Sequence, residues 1–153
     1  MIDQYKPKQW GAMFFQKTLV CILLLTAVPL LSEVVVAAEL SIVISGIENS
    51  KGVVRAALFN KPDQFPEGEV LIADIQNANN QGVKISFRAL PAGDYAVAVL
   101  HDENRSGNMD YNWFGFPQEA YGFSGRKVFG KPSFKDSRFH LPEEGKSIFI
   151  RVK

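Results

Sequence analysis

The chain has a single cysteine, Cys21, among 153 residues. That scarcity excludes a disulfide scaffold. It has no excess of charge either: 17 Lys and Arg face 16 Asp and Glu, with two histidines. No global basic field is available to hold nucleic acid, and no acidic excess marks a solvating tail. Long hydrophobic runs are missing too. The longest, TLVCILLLTAVPLL over residues 18–31, has fourteen residues, whereas a membrane-spanning helix needs about 20. Apolar spacing of three and four is nowhere sustained for a full helix, because Gly and Pro interrupt it. The length is below the roughly 250 residues of an eight-unit β/α barrel and suits one domain plus a targeting segment.

The short apolar run follows Lys17 and leads to VVVAA, with Val36 and Ala38 as small residues at −3 and −1 of a cut before Glu39. A positive start, a short apolar stretch and a small-residue exit describe a secretory signal peptide over residues 1–38. Translation from Met13 would shorten it to 26 residues, within the usual length of about 15 to 30. Cys21 lies inside the apolar run rather than at its end, so it does not read as a lipoprotein anchor. Membrane contact is thus expected only through the signal peptide before cleavage. The expected mature chain, 39–153, is a single domain with 14 basic and 14 acidic residues and no cysteine. It must be held together by core packing, with or without a metal.

Strand-like runs separated by turn residues fill the mature chain. Leu40, Ile42 and Ile44 alternate in the first, and VVRAALF follows a glycine turn at Gly52. Residues 70–75 form a short run. Val83, Ile85 and Phe87 alternate with Lys84, Ser86 and Arg88. Residues 94–101 are apolar on both faces, which marks a central strand. Residues 138–141 are brief, and Ile148, Ile150 and Val152 close the domain. Seven short strands at this spacing predict an all-β, antiparallel β-sandwich of transthyretin or immunoglobulin type. Leu90-Pro91-Ala92-Gly93-Asp94-Tyr95 makes a turn into the central strand. Tyr95, two residues after Gly93, is expected to bury its ring at a corner and bond its hydroxyl to nearby backbone.

After the central strand comes Asp102-Glu103-Asn104-Arg105-Ser106-Gly107-Asn108-Met109-Asp110. It follows the calcium-loop pattern D-x-[DN]-x-[DN]-G, with Ser106 at the fifth position and Gly107 at the sharp turn. A hard cation takes six to eight oxygens, and alternate residues of a tight loop point oxygens inward. The expected calcium ligands are Asp102, Asn104, Ser106, Asn108 through its carbonyl, and Asp110. The bidentate Glu usual at position twelve is replaced by Trp113, so this is no EF-hand. Glu103 or Glu119 would have to supply the missing ligand, and affinity on the order of 10⁻⁴ to 10⁻³ M is expected. An ion-free turn built on side-chain-to-backbone bonds uses the same residue types.

Residues 111–130 hold seven aromatics among twenty, with four glycines and a proline. A loop this long is usually functional or disordered, and such aromatic content argues against disorder. Trp113, Phe114, Phe116, Glu119, Tyr121 and Phe123 are the candidate ligand-binding residues, suited to stacking on sugar rings or to holding an apolar peptide or protein partner. The alternative is a satellite core in which the loop buries its own rings. Both hold if some rings face in and others out.

Three motifs then converge. They are Gly93 and Tyr95; His101, Asp102, Asn104, Gly107 and Asp110; and Gly115, Pro117, Glu119, Gly122, Phe123 and Ser124, with Pro132-x-Phe134 beyond. In this combination the chain resembles an exported bacterial family, domain of unknown function 2141. Trp113 and Phe114 are bulkier than the residues usual there. The resemblance implies export and a β-sandwich, and it implies no activity.

Signals for catalysis are sparse. Ser124 lacks the G-x-S-x-G elbow, and the two histidines, His101 and His140, have no zinc-protease spacing. Arg126, Lys127, Lys131 and Lys135 form a basic cluster that reads as a solvated face rather than a nucleic-acid platform. The expectation is an exported, periplasmic or extracellular, non-catalytic binding module. A purely structural or assembly module ranks second. A metal-dependent hydrolase ranks third and would require His101, Glu119 and His140 to converge.

Overall fold

The computed structural model describes residues 37–125 and 132–153. Most of the expected signal peptide, with Cys21 and Met13, lies outside the described residues, as do Arg126, Lys127, Phe129 and Lys131. Ala38, the −1 residue of the expected cut, opens the first strand and is buried.

Eight strands and one helical turn follow in order. They are β1 (Ala38–Ser45), β2 (Val53–Phe59), β3 (Ile72–Asn77), β4 (Val83–Leu90), β5 (Gly93–Asp102), β6 (Tyr121–Phe123), α1 (Phe134–Ser137), β7 (Phe139–Leu141) and β8 (Lys146–Arg151). The fold is all-β, as the alternating patterns predict. One sheet has the order β4-β1-β8. The other runs β3-β2-β5-β6, and β7 pairs with the start of β5.

Two expectations change. The strand count is eight rather than seven, because Tyr121–Phe123 pairs with Ala98–Leu100 inside what reads as aromatic loop. Three residues with a central glycine carry no alternation, so only the partner strand reveals them. The pairing is also not wholly antiparallel. β1 and β8 run parallel, Leu40 opposite Lys146 through Ser45 opposite Arg151. They are the first and last strands, so no hairpin forces them to oppose.

The main core draws on one face of each sheet. Leu40, Ile42, Ile44, Ile85, Phe87 and Ile150 come from the first, and Val54, Ala56, Leu58, Tyr95, Val97 and Val99 from the second. A β-bulge lets β4 finish its share. The β1–β4 register advances two residues from Ala38 to Leu40 against three from Phe87 to Leu90. Ala89, at φ +58°, takes up the extra residue, so Phe87 and Leu90 both face inward despite their odd spacing. At the β4–β5 turn the Tyr95 hydroxyl donates to the Pro91 carbonyl at 2.8 Å, which is the corner that the turn sequence predicts. Burial pushes the pKa of this hydroxyl up.

A second, smaller core covers the other face of the five-stranded sheet. Phe59, Phe65, Ala96 and Phe134 are buried there, with Ala57, Ala98 and Phe123 against them. The Phe65 ring meets Phe59, Phe123 and Phe134 edge-on at centroid distances of 5.4, 5.8 and 6.2 Å, a geometry that aromatic quadrupoles favour. β2 and β5 are therefore apolar on both faces because both faces are covered.

Candidate functional site

The acidic loop leaves the end of β5 on the same face as Arg55. In the β2–β5 register Arg55 stands opposite Leu100 and Val53 opposite Asp102. Arg55 and Asp102 are thus diagonal neighbours on one face of the sheet. The Arg55 Nε donates to Asp102 Oδ2 at 2.6 Å. The backbone N–H of Gly107 donates to the same oxygen at 2.9 Å, and that of Ser106 to Oδ1 at 2.9 Å. Asp102 is fully buried. Burial alone would push its carboxyl pKa up, but the Arg55 hydrogen bond, the two N–H groups and the guanidinium charge outweigh it and hold the pKa below the ordinary carboxylate value.

The rest of the loop follows the same logic. Asn104 Oδ1 accepts from Ser106 N at 2.8 Å, and its amide donates to Asp110 Oδ2 at 2.6 Å. The Ser106 hydroxyl donates to the Asn108 carbonyl at 2.9 Å. Gly107 sits at φ +87°, a conformation that glycine alone adopts at little cost. The five expected calcium ligands are therefore gathered in one loop, as the spacing predicts, and engaged with protein donors. Among the described residues no group of three His, Cys, Asp or Glu side chains is arranged to hold a metal.

Glu119 lies at the base of the next turn and is 8% exposed. One carboxylate oxygen accepts from Glu103 N at 3.0 Å and the other from Asp110 N at 3.2 Å. It clamps both ends of the acidic loop, and its carboxylate faces backbone rather than solvent. His101 is also fully buried, with Nε2 3.0 Å from the Lys51 carbonyl. His140 pairs with Asp94 at the far end of β5. Seven residues of strand separate the two levels, roughly 23 Å, so His101 and His140 do not converge.

Beyond Asp110 the chain makes a small hairpin turn. Tyr111 and Pro117 form an antiparallel bridge. Asn112 N donates to the Phe116 carbonyl and Gly115 N to the Asn112 carbonyl, both at 2.9 Å. This is the bond pattern of a three-residue hairpin loop, with Gly115 at the left-handed position, φ +79°. The Asn112 side-chain carbonyl accepts from both Phe114 N and Phe116 N at 3.0 Å. Trp113 is 95% exposed, Phe114 80% and Phe116 65%. Tyr111 is exposed beside them.

The expected ligand-binding residues therefore divide. Trp113, Phe114 and Phe116 form an outward tip. Phe123 packs into the second core, and Tyr121 meets it edge-on at 5.7 Å. Ser124 closes this side: its hydroxyl accepts from Val97 N at 2.8 Å and donates to the Ser137 carbonyl at 2.7 Å. It thereby ties the end of β6 to β5 and α1. A shallow concavity at the base of the tip is lined by Glu48, Glu103, Phe116, Tyr121 and Lys153.

Sequence reasoning missed Arg55 and Asn112. Arg55 is the one charged residue in VVRAALF, and a lone charge inside a strand asks for a partner. Asn112 three residues before Gly115 is a turn signature that the surrounding aromatics mask.

Fold and site define a class: an all-β, two-sheet protein whose polar loop residues brace an aromatic turn. The chain belongs to the family described as an uncharacterized protein conserved in bacteria, DUF2141, whose model matches residues 42–148. Neither a curated protein nor a solved structure matches it.

Proposed function

We propose that this chain is an exported, non-catalytic β-sandwich module, of transthyretin or immunoglobulin type, that presents an aromatic turn for binding outside the cytoplasm. One observation carries the reading. Trp113 and Phe114 are 95% and 80% exposed on a turn whose backbone is fixed by Asn112. Large rings held in water on an ordered turn mark an interaction site. The expected ligand classes are carbohydrate, apolar peptide and protein partner. With Trp10 replaced by Phe, Trp113 fluorescence reads the contact directly. Titration with oligosaccharides and apolar peptides is expected to shift its emission, and a Trp113→Ser chain that keeps full affinity for a bound ligand overturns the reading.

In this reading the order expected from calcium comes from Arg55, whose guanidinium reaches Asp102 at 2.6 Å. That ion pair favours the metal-free alternative over the calcium loop, because a bound cation would share the Asp102 carboxylate with the positive guanidinium. Thermal unfolding in chelator and in millimolar calcium separates the two. Calcium at about ten times its dissociation constant adds roughly 1.4 kcal/mol, which moves the midpoint by about 4 to 8 °C. An unchanged midpoint is expected. A calcium-specific rise that Asp102→Ala abolishes restores the calcium loop.

A further inference from the structure

The aromatic tip has properties that separate one kind of surface from the others. Residues 111–118, Tyr-Asn-Trp-Phe-Gly-Phe-Pro-Gln, carry no charge. Four backbone donors of the turn are satisfied inside it, Asn112 and Gly115 by backbone carbonyls and Phe114 and Phe116 by the Asn112 side chain, while the Trp113 N–H has no partner there. Pro117 has no N–H. The tip is also convex, since a Cβ built on Gly115 would meet nothing within 4 Å.

Each property bears on the partner. A sugar site needs polar side chains that converge beside its rings; next to Trp113 and Phe114, Asn112 turns its carbonyl to the turn's own backbone, and Glu48, Glu103 and Lys153 line the shallow concavity on the Phe116 side. A rigid protein partner would need a groove shaped to the protruding rings. The interfacial layer of a lipid bilayer needs neither. It deforms around a convex wedge and favours Trp and other aromatic rings.

We infer that Trp113, Phe114 and Phe116 form an uncharged wedge that inserts into the interfacial layer of a phospholipid bilayer. The inference rests on the proposed binding role of the turn and names its partner as a lipid surface. Charge has no part in it, so insertion is expected to be equal on zwitterionic and anionic bilayers and insensitive to salt.

The full chain with Trp10→Phe leaves Trp113 as its single tryptophan. Phosphatidylcholine vesicles with brominated acyl chains are then added. The expected result is a blue shift and strong bromine quenching of Trp113, the same with phosphatidylglycerol present and at 0.5 M salt. Bromine quenching acts at short range, so it reports the position of Trp113 itself whatever the apolar run at 18–31 does. The same chain with Phe114→Ser and Phe116→Ser isolates the tip, and each ring removed is expected to lower the ratio of inserted to free tip by about tenfold. Both residues are exposed, so the fold is expected to survive, as circular dichroism checks. Water-like, unquenched emission on both vesicle types overturns the inference, as does quenching confined to anionic vesicles and lost in salt. Emission that responds to a peptide or oligosaccharide but not to vesicles overturns the lipid partner and leaves the binding role standing. Silence towards all three overturns both.

Discussion

Residues 102–110 and 111–116 are neighbours in the chain and opposites in orientation. The first stretch is rich in Asp, Asn, Ser and Gly; Asp102 is buried, and it and Asn104 accept from the loop's own N–H groups, Asp102 from Arg55 as well. The second is made of aromatics, and its rings turn outward into water. The buried Asp102 carboxylate and the exposed Trp113, Phe114 and Phe116 rings reverse the usual arrangement of polar outside and apolar inside. The difference teaches a division of labour. A polar side chain is the only kind that can satisfy the backbone of an irregular loop, so the acidic residues serve as internal bracing. The rings then remain free because Asn112 braces the turn in their place.

The comparison breaks most severely at Asp102. Asp102→Ala removes the acceptor for two N–H groups and strands the Arg55 guanidinium. It is expected to cost about 3 kcal/mol in urea unfolding, and a loss below about 1 kcal/mol would show that the loop does not depend on this carboxylate. The acid limb gives an independent check. A carboxyl whose folded pKa is depressed contributes stability that is present above its unfolded value, about 3.9, and is lost as pH falls through its folded value. Stability is therefore expected to drop below pH 4 in the native chain, with a shallower drop in Asp102→Asn.

Glu119→Gln has a middle effect. One of the two carboxylate oxygens becomes an amide that faces an N–H, at Glu103 or at Asp110. About 1 to 2 kcal/mol is expected, with faster amide exchange in residues 103–118. Unchanged exchange there would separate the aromatic turn from the clamp. Trp113→Ser has the smallest effect on the fold, within about 0.5 kcal/mol of zero. A large loss would mean that the ring packs against protein and that the contrast between the two stretches is false.

Much of this fold is legible residue by residue. Alternation in Leu40, Ile42 and Ile44 and in Val83, Ile85 and Phe87 places β1 and β4, and apolar residues on both faces of β5 foretell two coverings. The Tyr95 corner follows from its turn. The site is legible only as a grouping. The spacing from Asp102 to Asp110 gathers those residues in one loop, but whether they face an ion or their own backbone depends on Arg55, 47 residues away. The aromatics from 111 to 123 announce a special segment without saying which rings face inward. Phe123 is half-buried against the second core because β6 pairs with β5, and Trp113 is exposed because the turn projects.

The sequence by itself determined what is local or compositional: strand periodicity, turn chemistry, and the absence of a disulfide scaffold and of any large charge excess. These rest on backbone sterics and on side-chain chemistry within a few residues. Tertiary structure alone decided the parallel closure of β8 on β1, the ion pair of Arg55 with Asp102, and the split of the aromatic segment into core and tip. Each of these needs residues far apart in the chain to meet, and a meeting of that kind is fixed by the packing of two sheets rather than by any short stretch of chain.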